Sequence, residues 1–341
     1  MSSLGVTFVG TATTILELAG LRLLTDPVFD PPGATYEAVK GPLGALTKYT
    51  RLAGPALSAA QVGPIDAVLL SHDHHGDNLD PAGRQLLPSA KVVLTTVAGA
   101  RRLARRGASN AVGLVAGQVH RLGELEIVAA PARHGPPGTQ WITGPVIGFF
   151  LRWPGGTAYV SGDTLWHRAL ADFARTHVPQ VALIHVGAGR FRASLGLRYS
   201  ASAKDVVAVA RAWPAAILAP IHYEGWSHFS QGRAELAQRL ARYGLAPRLR
   251  CLGAAGLGVS ASPTASAGAV FAMADLALHL VRTTVGPQVA DVVTRYLLLD
   301  EHPAQAPYMA LTQLAAGDEL LVRAERWIRA HPVGRLSLIH I

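Results

Sequence analysis

The chain has 341 residues, enough for one large α/β domain with an appendage or for about two domains. Half of the residues are hydrophobic and 16% are charged, against a typical charged fraction of about 25%, which excludes a disordered or fibrous protein. A single cysteine, Cys251, excludes a disulfide framework and a cysteine-rich zinc site. No apolar run reaches the roughly 18 residues of a membrane span, and the first residues lack a signal-peptide pattern. We therefore expect a soluble, cytoplasmic protein.

The net charge of +9 is unevenly distributed along the chain. Residues 1–261 hold 25 of the 31 Lys and Arg residues but only 15 of the 22 Asp and Glu residues. Part of this excess is a cluster of four arginines: Arg101, Arg102, Arg105 and Arg106. Two interpretations stay open, a solvated helix face or an attraction for an anionic substrate or polyanion.

Short apolar runs separated by Gly and Pro turns fill residues 1–252, which we predict to form one domain. The predicted strands are Leu4–Val9, Thr13–Leu18, Leu21–Leu24, Asp66–Leu70, Lys91–Leu94, Glu126–Ala130, Val146–Arg152, Thr157–Val160, Val181–Val186, Ala216–Ala219 and Arg248–Leu252. The predicted helices are Leu165–His177, Ala203–Trp213 and Arg233–Tyr243. Hairpins followed by alternating strands and helices predict sheets covered by helices on their outer faces.

The C-terminal part of the chain has a different composition. Residues 253–269 are mostly Gly, Ala and Ser and are predicted to be a linker. Residues 270–335 carry two helical patterns, and we treat residues 336–341 as a non-native tail because they follow no packing pattern. The run from Ala274 to Arg282 resembles the end of the amidotransferase-like domain of AraC-family regulators. No recognition helix follows it, so we expect a helical extension without DNA affinity.

The densest group of chemically active residues follows the strand predicted at Asp66–Leu70. It reads His72-Asp73-His74-His75-Gly76-Asp77-Asn78. Residues two apart at a strand end can turn towards one centre when the backbone bends, so His72 and His74 can chelate one metal ion, with Asp77 facing a second. Imidazole and carboxylate ligands suit zinc, iron or manganese. A polar surface loop is the alternative, but three histidines within four residues favour a metal site.

The same pattern recurs at three later strand ends. His134, Asp163 and His222 each follow a predicted strand within a few residues. Because the carboxyl ends of strands gather at one rim of an α/β architecture, these side chains can converge on the first group.

The order of these residues is similar to that of the metallo-β-lactamase-fold hydrolases. The segments Thr7–Thr13 and Leu24–Phe29 resemble the branch that holds the N-acyl-phosphatidylethanolamine phospholipase D-like and ascorbate-phosphate lactonase-like proteins. The resemblance implies a four-layer αββα sandwich, here with the C-terminal helical extension, and one or two zinc ions at the sheet edge. Carried over residue by residue, it implies a first metal held by three histidines, a second held by two residues, and one bridging carboxylate. These are His72, His74 and His134, then Asp77 and His222, then Asp163.

One departure from the family pattern affects the second site. The family has His-x-His-x-Asp-His, whereas this chain has one extra residue before Asp77 and Asn78 in place of the last histidine. The amide oxygen of Asn78 is a harder and weaker ligand than an imidazole nitrogen, which predicts weaker metal binding at that site or a preference for manganese or iron. Alternatively, His75 replaces the missing imidazole.

Three further residues have two interpretations each. Asp26 either caps its own turn or supports a metal-bound imidazole through its carboxylate. His185 ends a strand and has either a substrate or proton-transfer role, or a buried structural one. For His228 we expect packing rather than chemistry.

These observations favour a metal-dependent hydrolase in which a metal-bound hydroxide attacks an ester bond, either a phosphodiester or a lactone. The predicted catalytic residues are Asp77, Asp163 and His185, and the basic excess favours a small anionic substrate. Two alternatives stay open: a nucleic-acid protein (a nuclease of this fold or a regulator fragment), which the acidic C-terminal segment disfavours, and a metal-binding scaffold without activity. The substrate, the metal and the oligomeric state cannot be read from the sequence.

Overall fold

The computed structural model describes residues 4–252 except residues 40, 42, 43, 192, 193 and 195. The chain divides into two units, Met1–Ser266 and Ala267–Ile341, and the described residues all belong to the first. The predicted linker 253–269, helical segment 270–335 and tail 336–341 lie outside the described residues. Among those that are described, no helix has the length and apolar character needed to cross a lipid bilayer.

A six-stranded sheet is built mainly from the N-terminal part of the chain, in the order β1-β2-β3-β6-β7-β8. Its strands are β1 Gly5–Gly10, β2 Thr13–Leu18, β3 Leu21–Thr25, β6 Ala67–Leu69, β7 Val92–Thr96 and β8 Ala111–Leu114. The first three strands are antiparallel, and β3, β6, β7 and β8 run parallel to one another. The tight turn at Ala19-Gly20 joins β2 to β3 with positive φ at both residues, as a two-residue hairpin requires.

The second six-stranded sheet has the order β14-β13-β12-β11-β10-β9. Its strands are β9 Val119–Leu122, β10 Leu125–Pro131, β11 Ile147–Trp153, β12 Gly156–Val160, β13 Val181–His185 and β14 Ile217–Ile221. A separate two-stranded ribbon consists of β4 Thr35–Glu37 and β5 Lys48–Thr50. Strands β12, β13 and β14 are parallel, so their carboxyl ends meet at one edge of this sheet.

The helices are α1 Pro81–Leu86, α2 Val97–Ala104, α3 Gln140–Thr143, α4 Arg168–Ala174, α5 Ala203–Ala212 and α6 Arg233–Ala241. Asp80 caps α1 by accepting a hydrogen bond from the Gly83 amide. Ser202 and Asp205 form a reciprocal capping box at the start of α5.

Three apolar clusters define four layers. The largest contains side chains from both sheets, including Phe8, Leu69, Phe149 and Leu183, and therefore fills the space between them. A second cluster joins the other face of the second sheet to α4, α5 and α6, and a third joins the other face of the first sheet to α1 and α2. This αββα arrangement confirms the predicted fold class.

Most predicted strands are present within one or two residues of their predicted bounds. The strand predicted at Arg248–Leu252 is wrong: the segment contains the end of a short 3₁₀ helix and only an isolated bridge between Leu249 and Leu218. Helix α2 contains Arg101 and Arg102, in line with the interpretation of the arginine cluster as a helix face, and its other face is apolar. That face places Leu103 in the core with no exposed surface.

The inter-sheet core generates a stability prediction. Leu151 on β11 has no exposed surface and packs between the sheets, so L151A removes buried methyl groups and leaves a cavity. We expect a loss of about 2–5 kcal/mol in the free energy of unfolding, measured by urea denaturation. The matched control is L52A, because Leu52 is 62% exposed and its loss should cost less than about 0.5 kcal/mol. Equal losses in the two variants would contradict the assignment of this layer.

Candidate metal centre

Three buried imidazoles meet at the edge shared by the two sheets. The Nδ1 atom of His75 lies 3.0 Å from His72 Nε2 and 3.0 Å from His134 Nε2. Two nitrogen ligands of a tetrahedral zinc ion lie about 3.3 Å apart, since each Zn–N bond is about 2.0–2.1 Å. These three nitrogens therefore have the spacing of ligands around one ion.

The loop that carries His72 turns instead of continuing as a strand. Strand β6 ends at Leu69, and the amide of Leu79 donates to the carbonyl of His75 at 2.9 Å, which starts a helical turn. Residues 70–75 do not continue the strand, and the structure brings His75 and not His74 to His72. The expected pairing of two histidines two residues apart is therefore not seen here.

The structure does not bring His74 into this cluster. Its Nε2 atom lies 2.5 Å from the carbonyl oxygen of Thr143, outside the set of converging nitrogens. His75 thus lies in the first cluster, in the place expected for His74, and not in the second cluster, where the alternative for the altered motif put it.

A second buried cluster lies beside the first. Nε2 of His222 is 3.5 Å from Asp77 Oδ2, and Nδ1 of the same ring is 3.4 Å from Asp163 Oδ1. The other oxygen of Asp163 is 3.9 Å from Nε2 of His134 in the first cluster. Asp163 thus lies between the two groups, where the family resemblance implies a bridging carboxylate.

The residues of the second cluster fit a bound cation. Asp163 Oδ1 and His222 Nε2 are both buried, and neither has a hydrogen-bond partner among the described residues. Buried polar atoms are normally paired, and a carboxylate without a partner is costly. A metal ion would satisfy both atoms at once, and the mixed imidazole and carboxylate donors suit zinc, manganese or iron.

Electrostatics separate the two clusters. Burial lowers the pKa values of His72 and His75 well below the ordinary value, with a further contribution from the neighbouring imidazoles, and burial lowers the pKa of His134 to about 4. The first cluster is therefore neutral at pH 7, as metal-binding imidazoles must be.

In the second cluster the carboxylates dominate. Burial, together with the nearby charges of Asp77 and Asp26, raises the pKa of Asp163 to about 7. Burial opposes the charged form of His222, but the carboxylates of Asp163 and Asp77 outweigh it and raise the pKa of this imidazole to about 9. In the protein without metal, this proton on His222 supplies the positive charge that a metal ion would bring.

Asp26 organises the residues behind the first cluster. Its carboxylate accepts hydrogen bonds from the Ser71 amide at 2.7 Å, from the Ser71 hydroxyl at 2.9 Å and from the Asn78 amide group at 3.3 Å. Because the Ser71 hydroxyl donates to Asp26, its oxygen accepts from Nδ1 of His72 at 2.9 Å. This leaves Nε2 of His72 unprotonated and directed at the cluster, the support that one interpretation of Asp26 predicts.

His185 lies in this supporting layer and not at the cavity surface. It has no exposed surface, its Nε2 atom is 3.0 Å from Asp26 Oδ2, and its Nδ1 atom is 3.4 Å from the Ser161 hydroxyl. Both ring nitrogens are thus occupied by protein partners, and His185 does not line the cavity described below. This placement does not match the predicted catalytic role and favours the buried structural interpretation.

His228 is the site residue that sequence reasoning underestimated. Its Nε2 atom lies 3.1 Å from Asp77 Oδ2, while its ring stacks on Phe191 with centroids 5.2 Å apart. It therefore both packs, as expected, and reaches the second cluster as a candidate ligand. The only signal in the sequence is its position six residues after His222.

Two backbone positions show why the strand ends converge. Gly162 adopts φ +58°, and a Cβ there would lie 2.6 Å from the Ser71 side chain and 2.8 Å from the Ile147 carbonyl, so only glycine allows this approach. His222 itself has φ +61°, an uncommon conformation for a residue with a side chain, held by a hydrogen bond from its amide to the Thr11 carbonyl. Such strain is characteristic of functional sites.

A cavity of about 160 Å³ opens onto both clusters. Four aromatic residues line it together with small apolar and hydroxyl side chains: Tyr49, Trp141, Phe191 and Tyr199, then Ala38, Val39, Thr47, Thr143, Ser194 and Ser200. None of the described residues that line this cavity is Lys or Arg. The cavity is thus apolar apart from the candidate metal ligands and a few hydroxyl groups.

Comparison with known proteins identifies the family. The family described as "Beta-lactamase superfamily domain" matches residues 21–223, more than half of the chain. The chain belongs to this superfamily. Among relatives, it is 26% identical to the UPF0173 protein YddR of Bacillus subtilis over 237 residues, which cover 68% of this chain and 91% of YddR. It is 27% identical to a UPF0173 metal-dependent hydrolase of Caldivirga maquilingensis, over 71% of this chain and 91% of that protein.

Solved structures share the fold at low sequence identity. An isothiocyanate hydrolase from Delia radicum gut bacteria has a TM-score of 0.66 at 20% identity, covering 77% of this chain and all of that protein. A possible metal-dependent hydrolase from Veillonella parvula has a TM-score of 0.64 at 16% identity, covering 75% and 98%. Together with the family match, the His and Asp clusters identify this member of the superfamily as a metal-dependent hydrolase.

The choice between His74 and His75 can be tested by metal content. We expect H75A to lose at least one metal equivalent per chain, because it removes the nitrogen nearest both His72 and His134. H74A should retain the wild-type content, measured for both by inductively coupled plasma mass spectrometry after dialysis. Loss of metal from H74A but not from H75A would contradict this choice and support His72, His74 and His134 as the first ligand set.

Proposed function

We propose that this protein hydrolyses an ester bond in a small, neutral and largely apolar substrate at a centre of two metal ions. In the proposal His72, His75 and His134 would hold the first ion, and Asp77, His222 and His228 would hold the second. Asp163, which lies between the two groups, would be available to both. The observation that carries the proposal is the convergence of two buried His and Asp clusters on one aromatic-lined cavity. Zinc suits the first ligand set, and zinc, manganese or iron suits the second.

When bound, such ions lower the pKa of a coordinated water and polarise the substrate oxygen. The chain's own residues orient the imidazole ligands for this role. Ser71 and Asp26 hold the ring of His72 in the tautomer that leaves Nε2 free. The carbonyl of Tyr199 accepts from Nδ1 of His134 at 2.6 Å and does the same for that ring.

A metal-activated water is favoured as the nucleophile, because the described residues that line the cavity show no activated side-chain nucleophile. The sequence contains no Gly-x-Ser-x-Gly elbow, and the cavity's only hydroxyl groups come from Thr, Ser and Tyr residues without an adjacent serine-histidine-aspartate arrangement. A hydrolase that activates water at metal ions needs no such nucleophile.

The cavity lining favours a neutral substrate over the anionic one that the net charge suggests. Aromatic side chains such as Tyr49 and Phe191 bind apolar groups, and away from the metal ions an anionic group would find no Lys or Arg among the described residues that line the cavity. The basic excess of the chain lies elsewhere. The same observation argues against a nuclease, which needs basic residues leading to the metal ions.

The proposal is tested by a paired substrate assay on metal-loaded protein. We expect p-nitrophenyl butyrate, a neutral ester, to be hydrolysed with a higher kcat/KM than the anionic bis(p-nitrophenyl) phosphate, and a chelator to abolish both reactions. D163N should lower kcat/KM by at least about a hundredfold, because it removes the charge between the two clusters.

The matched control is D66N, since Asp66 is a carboxylate that pairs with exposed Lys91 at 2.7 Å and does not line the cavity. It should leave kcat/KM unchanged. Wild-type turnover by D163N would refute the proposed centre. Protein that binds under one metal ion per chain and gains no activity with added zinc or manganese would favour the inactive scaffold.

The role of the aromatic lining generates a separate prediction. Trp141 on α3 is 82% exposed and lines the cavity, so W141A should leave the fold intact but remove an apolar contact to the substrate. We expect KM for the neutral ester to rise about tenfold with little change in kcat, because the contact serves binding and not the reacting bond. Y243A is the control, since Tyr243 is 57% exposed and does not line the cavity. A fall in kcat with unchanged KM would contradict this role.

A further inference from the structure

A second concave surface lies on the other side of the metal-binding loop. This arginine groove has a volume of about 930 Å³ and is lined by His74, His75 and Gly76 of that loop, and by residues of α1, α2 and the β4–β5 ribbon. Its charged lining residues are Glu37, Lys48, Asp73, Arg84, Arg102 and Arg106. Of the cavity residues described above, only His75 also borders this groove.

The acidic residues of the arginine groove are already paired. Arg102 donates to both oxygens of Asp73, through Nε at 2.9 Å and through Nη2. Lys48 lies 3.9 Å from Glu37 at the opposite wall. These pairs neutralise two of the four basic residues.

The other two basic residues have no such partner. Among the described residues, neither Arg84 nor Arg106 has a carboxylate oxygen within 4.0 Å. Arg84 donates from Nη2 to the backbone carbonyl of Asp73 at 3.1 Å, while its Nη1 atom is buried without a hydrogen-bond partner among them. The guanidinium of Arg84 is therefore half-buried and has no ion-pair partner within 4.0 Å among the described residues.

Neighbouring arginines make the burial of this charge less favourable. Burial, followed by repulsion from Arg106, lowers the pKa of the Arg84 guanidinium; the carboxylate of Asp73 opposes this shift, and repulsion from Arg102 adds to it. Grouped arginines that face a concave surface bind oxyanions well, because the planar guanidinium donates two parallel hydrogen bonds to phosphate or carboxylate.

We propose that the arginine groove is an oxyanion-binding site, separate from the metal centre, for a small phosphate- or carboxylate-bearing ligand held by Arg84 and Arg106. The proposal does not depend on the reaction at the metal ions. The proposal also gives a role to part of the arginine cluster identified in the sequence. Arg102 and Arg106 line the groove, whereas Arg101 and Arg105 do not.

Isothermal titration calorimetry of the metal-loaded protein with inorganic phosphate tests the site. R106Q should weaken phosphate binding about tenfold, the effect of losing one charge-assisted contact. The matched control is R105Q, which removes a neighbouring exposed arginine outside the groove and should change the affinity by less than about twofold. Raising the salt concentration should weaken wild-type binding, since Arg106 is exposed.

Acetate, titrated in parallel, distinguishes a carboxylate ligand from a phosphate ligand. R84Q provides a second variant. Its fold is checked by circular dichroism, because Arg84 also contacts the metal-binding loop. If R84Q does not fold, the phosphate affinity of R106Q alone tests the proposal. Equal affinity of R106Q and R105Q for both anions would overturn the proposal and assign any phosphate binding to the metal centre. Absence of saturable binding of either anion to the wild-type protein would overturn it as well.

Discussion

The structure depends on burying polar, ionisable side chains at the edge where two sheets meet. His72, Asp77, Asp163 and His222 are each at most 5% exposed, and groups of this kind are stable in the interior only when their charges and hydrogen bonds are compensated. Neutral imidazoles lie on one side of the site and a carboxylate-rich group lies on the other. A bound metal ion would compensate the negative charge of the carboxylates. Behind the metal ligands, the carboxylate of Asp26 forms hydrogen bonds with the buried side chains of Ser71, Asn78 and His185.

The αββα layers anchor the strands that lead to this edge. Strands β6, β12 and β14 each contribute residues to the inter-sheet core and to an outer apolar cluster. Glycine at Gly162 and the strained backbone at His222 then bring the side chains to within metal-binding distance. The superfamily fold thus positions the strand ends from which the residues of the candidate centre project.

The two concave surfaces on either side of the metal-binding loop have opposite character. One is aromatic and, in the described part of the chain, free of basic residues; the other has an uncompensated arginine pair. A single value of net charge cannot distinguish them, because it sums residues that face different surfaces. For this reason the charge of +9 suggested an anionic substrate, whereas the residues around the candidate centre favour a neutral one.

Sequence alone predicted the layers, which the structure confirms, and most of the residues that converge at the candidate centre. Alternating apolar runs mark strands, and His134, Asp163 and His222 could be proposed because each follows such a run within a few residues. The tertiary structure decided between His74 and His75, placed His185 behind the site and brought His228 to Asp77. The physical reason is that strand ends follow from local periodicity, whereas the direction of a side chain in a turned loop depends on contacts with distant residues, such as the carbonyl of Thr143 that receives His74.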